Sequence, residues 1–391
     1  MSAVDTDAVD VLVIGGGIAG VGVLQAAAAA GHSALLVEER SPAFGTSSRS
    51  SKLIHGGLRY LETMQLALVR ESLREREILL RVAPHLIKLV PFCIPVYADT
   101  TRPPWKIRAG LSMYAALGGL HRDAVFKRVP KSEWSALDGL ETRGLRAVFR
   151  YFDGQTDDAA LVRAVLASAQ QLGARIACPA RFVAARRVDD GYVVRIADAE
   201  RERELRCSAL VNAAGPWIAD VQKRIEPRPM TFDVELVAGA HIELSTTLER
   251  GIYYCEAPSD HRAVFLMPWR NHMLVGTTET PYHGDPARVA PLQSEIDYLL
   301  ATLARYMPSR RCELLGSFAG LRVLPKTTTS AFSRPRDVTL TVDDERSPHL
   351  VAIWGGKLTG YRATADKVLA ALRATLPARE RVADTATLKL P

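Results

Sequence analysis

The chain begins with two short apolar runs separated by a glycine-rich turn and an alanine-rich stretch. Val9–Ile14 is apolar and rich in β-branched residues, which predicts a strand buried on both faces of a parallel sheet. Val21–Ala30 has the composition of a buried helix and ends at Gly31. Ala34–Val37 is a second apolar run. This order predicts a strand-helix-strand unit at the start of the chain.

Further along the chain, the spacing of apolar positions changes from element to element. Met64–Val82 has apolar residues at helical spacing between charges, which predicts a surface helix. Arg181–Val188 and Tyr192–Ala197 flank an Asp-Asp-Gly turn and predict a β-hairpin. The other predicted elements are the strands Leu210–Ala213, Val234–Leu244, Ala263–Trp269, Met273–Thr278 and His349–Trp354, and a last helix, Thr359–Leu372.

The turn after the first strand has the spacing of a dinucleotide-binding motif. Gly15 permits a tight turn, Gly17 lets the backbone approach a pyrophosphate, and Gly20 lets the helix pack on the strand. Glu38, at the end of the second strand, is placed to accept a hydrogen bond from a ribose hydroxyl. Because its charge repels a 2′-phosphate, NADP is disfavoured. The motif itself leaves NAD and FAD open.

Composition narrows the class of protein. Of the 391 residues, 48% are hydrophobic and 24% are charged, which excludes a disordered or coiled-coil chain. The net charge of +7 is weak support for nucleic-acid binding, and it fits an anionic substrate or an anionic membrane surface at least as well. The five cysteines are far apart, which predicts neither a zinc site nor a disulfide framework. The acidic residues Asp5, Asp7 and Asp10 stand where a signal peptide has basic ones. No apolar run approaches the ~20 residues of a membrane helix. We therefore expect a cytoplasmic protein.

The serine-rich segment Gly45–Glu62 (GTSSRSSKLIHGGLRYLE) offers many hydrogen-bond donors to a phosphate or a flavin ring. With this stretch the chain resembles the FAD-dependent glycerol-3-phosphate dehydrogenases. The resemblance continues through LVNAAGPW (210–217), GTTETPYHGDP (276–286), AGLRVLP (319–325) and GGKLTGYR (355–362). It therefore covers nearly the whole chain, in family order.

The resemblance implies FAD as the cofactor and an α/β fold with an α+β second domain. The first domain is expected to be a Rossmann-like FAD-binding domain of the glutathione-reductase/D-amino-acid-oxidase type, formed by residues 1–85, 150–225 and 316–391. An antiparallel-sheet substrate domain would comprise 86–149 and 226–315. The cofactor residues expected from the motif and the resemblance are Gly15, Gly17, Gly20, Glu38, Glu39, Thr46, Ser47, Ser51, Lys52, His55, Gly57, Leu58, Val183, Ala214, Gly215, Trp217, Gly356, Lys357, Leu358 and Thr359.

The resemblance also implies a substrate site of Arg59, Tyr60, His241, Arg322 and Lys357. Their types suit a phosphate monoester, because arginine forks and a lysine neutralise a dianion with three acceptor oxygens. The implied reaction moves a hydride from C2 of sn-glycerol 3-phosphate to N5 of FAD and gives dihydroxyacetone phosphate. The hydroxyl proton needs a base with a pKa near neutrality, and His241 is the first candidate for it. Arg322 or Lys357 is the candidate for stabilising the oxygen.

Two departures from the family pattern stand out. The family carries a further helical C-terminal domain, whereas this chain ends at Pro391, and the family's GTTD is GTTE here, at Glu279. Quinone is the acceptor expected from the family, with oxygen as the alternative. His55 is a further candidate for a flavin contact or a covalent attachment, although the family generally binds FAD without one.

The segment Arg102–Arg122 has two interpretations. It is typical of an interfacial helix, which would place the protein on the inner face of the cytoplasmic membrane, or of a helix packed on the substrate domain. Two other functions also stay open: a FAD-dependent amine or 2-hydroxy-acid oxidase of the same fold, and a flavin-binding paralogue without turnover.

Overall fold

A computed structural model describes residues 8–119, 125–326 and 338–391. Asp5, Asp7 and the end of the predicted interfacial segment, residues 120–122, lie outside the described residues. The helices are α1 Ile18–Ala29, α2 Leu66–Val82, α3 Pro104–Leu117, α4 Asp158–Gln171, α5 Ile218–Gln222, α6 Gln293–Tyr306 and α7 Tyr361–Ala371. The strands are β1 Ala8–Ile14, β2 Ala34–Val37, β3 Leu53–Ile54, β4 Ile87–Tyr97, β5 Lys127–Arg128, β6 Leu145–Thr156, β7 Arg175–Ala177, β8 Arg181–Val188, β9 Gly191–Ala197, β10 Glu202–Asn212, β11 Ile225–Glu226, β12 Val234–Leu244, β13 Ile252–Glu256, β14 Ala263–Trp269, β15 His272–Gly276, β16 Thr280–Tyr282, β17 Leu314–Pro325, β18 Thr339–Val342 and β19 Leu350–Trp354.

The first sheet is built around β1. This strand is parallel to β2 on one side and to β10 on the other, and β7 follows β2 in the same direction. The first part of β10 pairs with β9 in an antiparallel manner, and its last residues pair with β19 in parallel. The antiparallel pair β8–β9 confirms the predicted hairpin. The parallel strands thus end at one edge of the sheet, where ligands of such folds bind.

Both faces of β1 are covered, as its continuous apolar run predicts. Val11 and Val13 pack in one cluster with apolar residues of α1, α4 and α7. Leu12 and Ile14 point to the other face and pack with residues of the β8–β9 hairpin. Successive side chains of a strand alternate between faces, so a strand enclosed on both sides needs apolar residues at every position.

The second sheet is mainly antiparallel. β12 and β17 pair along almost their full lengths, from Val234–Pro325 to Leu244–Leu314. β15, β14 and β13 continue the sheet with antiparallel pairing, and β13 joins β4 in parallel. β4 in turn pairs with β6. One face of this sheet packs against α6, while α2 and α3 contribute to the cluster on the other face.

Three of the predicted domain boundaries fall inside strands. The boundary at 150 cuts β6, the boundary at 226 cuts the short strand β11, and the boundary at 316 cuts β17. β6 and β17 are hydrogen-bonded within the second sheet along their lengths, and β11 pairs with β8 of the first sheet, so a division drawn between the two sheets lies at the ends of these strands. The positions of the boundaries depend on pairing between strands that are distant in the chain. The local spacing of apolar residues does not indicate such pairing.

α3 shows features of both interpretations of its segment. Leu111, Tyr114 and Ala115 are buried, and Leu111 and Tyr114 pack on the second sheet. Trp105 at the start of the helix is 72% exposed. Within the described ranges, none of the helices has the length and apolar character needed to cross a bilayer.

Candidate active site

The glycine-rich turn joins β1 to α1 as its motif predicts. Gly15 has a φ of +107°, a conformation that residues with a Cβ rarely adopt, and a Cβ on Gly20 would lie 1.9 Å from the Gly15 carbonyl oxygen. α1 begins at Ile18, whose N–H donates to Ser47 Oγ at 3.0 Å. The turn therefore holds the positive end of the α1 dipole at the edge of the first sheet.

The carboxylate of Glu38 is fixed by backbone groups. Its Oε2 accepts from the Gly16 N–H at 2.7 Å, and its Oε1 accepts from the Arg40 N–H at 2.8 Å. Each carboxylate oxygen has two lone-pair positions, so both keep the capacity to accept from a ribose hydroxyl. The contact of Glu38 with a ribose hydroxyl stays a prediction.

A cavity of about 470 Å³ extends from this turn towards the second sheet. It is lined by loops after β1, β2, β10 and β19 and by β17. The predicted cofactor residues that line it are Gly15, Gly17, Glu38, Glu39, Thr46, Ser47, Ala214, Gly215, Trp217, Gly356, Lys357 and Leu358. A cavity lined both by a glycine turn with a helix N-terminus and by cationic side chains fits a dinucleotide such as FAD.

Other predicted cofactor residues do not line this cavity. Ser51 and Lys52 face other side chains, and Gly20 packs α1 on the turn. Thr359 Oγ1 accepts from the His55 N–H at 3.1 Å and so joins the serine-rich loop to the region before α7. Gly57 precedes the short helical turn Leu58–Leu61, and Val183 lies in β8. These residues shape or support the surroundings of the cavity, and their contacts with FAD stay a prediction.

Several cavity residues are absent from the sequence-based set. Arg40 lies with its guanidinium carbon 4.5 Å from the centre of the Phe44 ring, and Phe44 lies 6.5 Å from the Trp217 ring. Arg40 and Phe44 line the cavity together with the predicted Trp217. Phe182, beside the predicted Val183, lines it as well. Arg40 and Phe44 follow β2 closely in the sequence. This position alone predicts a contact with the ligand, because loops at this edge of the sheet face the ligand.

Four of the five predicted substrate residues, Arg59, Tyr60, Arg322 and Lys357, come together beside the cavity. Lys357 Nζ lies 3.9 Å from the centre of the Tyr60 ring, and the Arg59 guanidinium carbon lies 5.1 Å from the same ring. Tyr60 is only 6% exposed. Arg322 and Lys357 also line the cavity, so the cationic group adjoins it directly. Such cation–aromatic contacts orient the charges where water is largely excluded.

Arg322 and Arg59 share a carboxylate. Arg322 Nη1 donates to Glu279 Oε1 at 3.2 Å, and Arg59 Nη1 lies 3.6 Å from the same oxygen. Burial, together with the positive charges of Arg59 and Arg262, lowers the pKa of Arg322 to about 10. The cluster therefore holds like charges close together in a poorly solvated place, which favours binding of an anion.

His241 lies on β12 in a tightly enclosed position. Its ring stacks on Phe318 with centroids 5.0 Å apart, and its Nε2 is 2.9 Å from Ser51 Oγ. A Cβ on Gly276 would lie 2.2 Å from the ring. Burial, with Arg322 and Lys52 as neighbouring positive charges, lowers the pKa of His241 to about 3. The imidazole is therefore neutral at physiological pH, which corrects the expectation of a pKa near neutrality.

Buried polar groups hold the serine-rich loop in place. Lys52 Nζ donates to Asp158 Oδ1 at 2.7 Å, and both side chains are almost fully buried. The Gly56 N–H donates to Tyr114 OH, which itself donates to Asp153 Oδ2 at 2.6 Å. These bonds run from the loop to α4, α3 and β6, so the loop is supported by elements on several sides.

Residues 10–362 match the family described as FAD dependent oxidoreductase. The chain belongs to this family. D-erythritol 1-phosphate dehydrogenase of Brucella abortus is 38% identical over 381 residues, which span 94% of this chain and 74% of that protein. Aerobic glycerol-3-phosphate dehydrogenase of Escherichia coli is 36% identical over 375 residues, or 92% and 72% of the two chains.

The FAD-dependent oxidoreductase also resembles solved structures. A glycerol-3-phosphate dehydrogenase from Bacillus halodurans, complexed with FAD, superposes with a TM-score of 0.75 at 26% identity and covers 99% of this chain and 68% of that one. The predicted fold class, the FAD cofactor and the resemblance to the glycerol-3-phosphate dehydrogenases are confirmed.

Proposed function

We propose that this FAD-dependent oxidoreductase oxidises sn-glycerol 3-phosphate to dihydroxyacetone phosphate. The observation that carries the proposal is the cationic cluster of Arg59, Arg322 and Lys357 beside Tyr60, which adjoins the FAD cavity through Arg322 and Lys357. The names of the relatives, which are dehydrogenases of polyol phosphates, agree with a phosphorylated substrate.

The cluster is suited to a phosphate monoester. The two guanidiniums offer planar pairs of hydrogen-bond donors, and Lys357 offers a point charge. Together they can hydrogen-bond all three acceptor oxygens of the phosphate. Each charge-assisted hydrogen bond contributes roughly 1.5–3 kcal/mol. A monocarboxylate is satisfied by one arginine, so this set of cations favours a phosphate ester over the amine or 2-hydroxy-acid substrates of related oxidases.

His241 is the proposed base for the hydroxyl proton. Bound FAD supplies the hydride acceptor. Because the imidazole is neutral, it is in the form that accepts a proton, and the Ser51 hydroxyl at Nε2 helps to fix the ring orientation. Arrival of a phosphate dianion adds negative charge near Arg322 and so favours the imidazolium that forms. Arg322 and Lys357 are the candidates for stabilising the substrate oxygen as it loses the proton.

For the second half-reaction we propose a quinone, reached at the inner face of the cytoplasmic membrane. The exposed Trp105 and the half-exposed Lys106 on α3 support a surface contact with lipid headgroups. Oxygen is the alternative acceptor. Measuring quinone reduction and oxygen uptake after reduction by substrate, with and without anionic vesicles, separates the two.

The test of the dehydrogenase function is anaerobic mixing of the purified holoenzyme with sn-glycerol 3-phosphate while the absorbance of oxidised flavin is followed. We expect rapid bleaching that glycerol and lactate do not produce. A flavin that stays oxidised with every phosphate ester would contradict the proposal and favour a flavin-binding paralogue without turnover.

D-Erythritol 1-phosphate is the second candidate substrate. It is favoured by the 38% identity with the Brucella abortus enzyme of that name. Both compounds present a phosphate and neighbouring hydroxyls to the cationic cluster, so parallel bleaching experiments compare them directly. The substrate with the higher rate constant for reduction divided by its dissociation constant is the preferred one.

A further inference from the structure

Glu279 lies inside the cationic cluster, at the position where the chain has GTTE and the resembled family has GTTD. It belongs to the link between β15, which ends at Gly276, and β16, which begins at Thr280. Its side chain is only 4% exposed. A carboxylate is thus buried at the place where the proposed substrate would bring a second anion.

Three guanidiniums surround this residue. Arg322 and Arg59 approach the same carboxylate oxygen, Oε1, at 3.2 and 3.6 Å. On the backbone side, Arg262 Nη1 donates to the Glu279 carbonyl oxygen at 3.1 Å. Arg322 also donates to Thr277 Oγ1, two residues before Glu279. The side chains of the link between β15 and β16 therefore hold the guanidiniums of Arg59 and Arg322. Arg262 in turn holds the backbone of this link.

The charges explain why a carboxylate is needed there. Two guanidiniums in a poorly solvated site repel each other, and a shared carboxylate offsets this repulsion. Arg59, Arg322, Lys357 and Glu279 together carry a charge of +2, the opposite of a phosphate dianion, and Arg262 adds a positive charge from the carbonyl side. Without the carboxylate, the cluster would attract any small anion more strongly.

We propose that Glu279 is a positioning residue that also sets the selectivity of the substrate site. Its carboxylate orients Arg59 and Arg322 for the phosphate ester, and its charge keeps inorganic anions from occupying the cluster tightly. The inference rests on the proposed function, because it assigns the cluster to the phosphate of the substrate.

The two parts of this role predict changes of opposite direction. Loss of the charge leaves the cluster more positive, so inorganic phosphate binds more tightly. Loss of the orienting oxygen leaves the guanidiniums less well placed, so the ester is held in a poorer geometry for reaction. A residue that only supported the fold would weaken both binding and reaction when it is changed.

The experiment uses the oxidised holoenzyme of the wild type, Glu279→Gln, Glu279→Ala and Glu279→Asp. Inorganic phosphate is titrated calorimetrically, and the limiting rate of flavin reduction by sn-glycerol 3-phosphate is measured separately. For both charge-removing variants we expect a dissociation constant for phosphate that is lower by about tenfold and a limiting reduction rate that is lower by at least about tenfold. Glu279→Asp keeps the charge, so its dissociation constant for phosphate should stay close to that of the wild type.

Weaker or unchanged phosphate binding in Glu279→Gln and Glu279→Ala, or an undiminished reduction rate, overturns the proposal. Failure of the proposed function gives a different result. In that case sn-glycerol 3-phosphate does not reduce the wild-type flavin either, whereas the phosphate titration still reports on the charge of the cluster.

Discussion

The side chains of Ser51 and Lys52 do not line the FAD cavity, although the sequence predicts both as cofactor residues. Ser51 instead contacts His241, and Lys52 forms a buried ion pair with Asp158. Residue type in a serine-rich loop indicates hydrogen-bonding capacity and leaves the partner undefined. The direction of each side chain depends on elements that come more than a hundred residues later.

The low pKa of His241 leads to a prediction about pH dependence. The pKa of about 3 leaves the imidazole neutral throughout the range from pH 5 to 8. The pH profile of kcat/KM for flavin reduction, which reports the free enzyme, should therefore show no step from His241 in that range. His241→Asn should lower the reduction rate by about 10²- to 10⁴-fold, because the proton acceptor is lost.

The matched control is His272→Asn. His272 is 41% exposed and pairs with Glu243 outside the cluster, so its replacement should leave the profile unchanged. A histidine step near pH 6.5 in the wild type that disappears in His241→Asn would contradict the assignment of a neutral, buried imidazole.

Arg322 gives a prediction about substrate binding. Arg322→Ala should raise KM for sn-glycerol 3-phosphate about 10- to 150-fold, the equivalent of roughly 1.5–3 kcal/mol for one charge-assisted contact. Arg322→Lys keeps a charge and loses the fork, so we expect an intermediate KM. Steady-state kinetics measures both, with Arg143→Ala as control because the Arg143 side chain is 91% exposed. A KM that is unchanged in Arg322→Ala would exclude this residue from phosphate binding.

At the scale of elements, most helices and strands with a clear apolar period lie where the sequence predicts them. β12 has the predicted bounds, Val234–Leu244. α2 begins at Leu66, two residues after its predicted start at Met64. α1 begins at Ile18, three residues before its predicted start. The apolar period does not mark this end of α1, because its first turn forms part of the glycine-rich motif.

The packing of α1 on the turn gives a prediction at this scale. A Cβ on Gly20 would lie 1.9 Å from the Gly15 carbonyl oxygen, which is backbone, so Gly20→Ala must displace the helix or the turn. We expect a destabilisation of about 1–3 kcal/mol and a loss of bound FAD, measured by thermal unfolding and by the flavin-to-protein absorbance ratio.

Gly110→Ala in α3 is the control, because a Cβ there meets no heavy atom within 4 Å. It should retain the full flavin content and gain stability of up to about 1 kcal/mol from its higher helix propensity. Full flavin content in Gly20→Ala would disprove the close-packing argument.

At the scale of the whole molecule, the FAD cavity connects the two sheets. Its walls come from loops of the first sheet and from Leu321–Leu324 of β17 in the second. Removal of FAD should therefore lower the midpoint of thermal unfolding, and adding FAD at 100 times its dissociation constant should restore about 2.7 kcal/mol. Calorimetry of apoprotein and holoprotein tests this, and equal midpoints for the two forms would contradict it.

Sequence alone is enough to predict the strand-helix-strand unit and the glycine turn with Glu38, because these features depend on residues close together in the chain. The FAD cofactor and the cationic residues of the cluster are distant in the chain and follow from the order of motifs in the resemblance. The folded chain is needed to see that β6 and β17 belong wholly to the second sheet, that Ser51 faces His241, and that Glu279 lies between Arg59 and Arg322. The contacts of Ser51 and Glu279 join residues from 43 to 220 positions apart, so their partners and the resulting pKa shifts depend on how the strands pair.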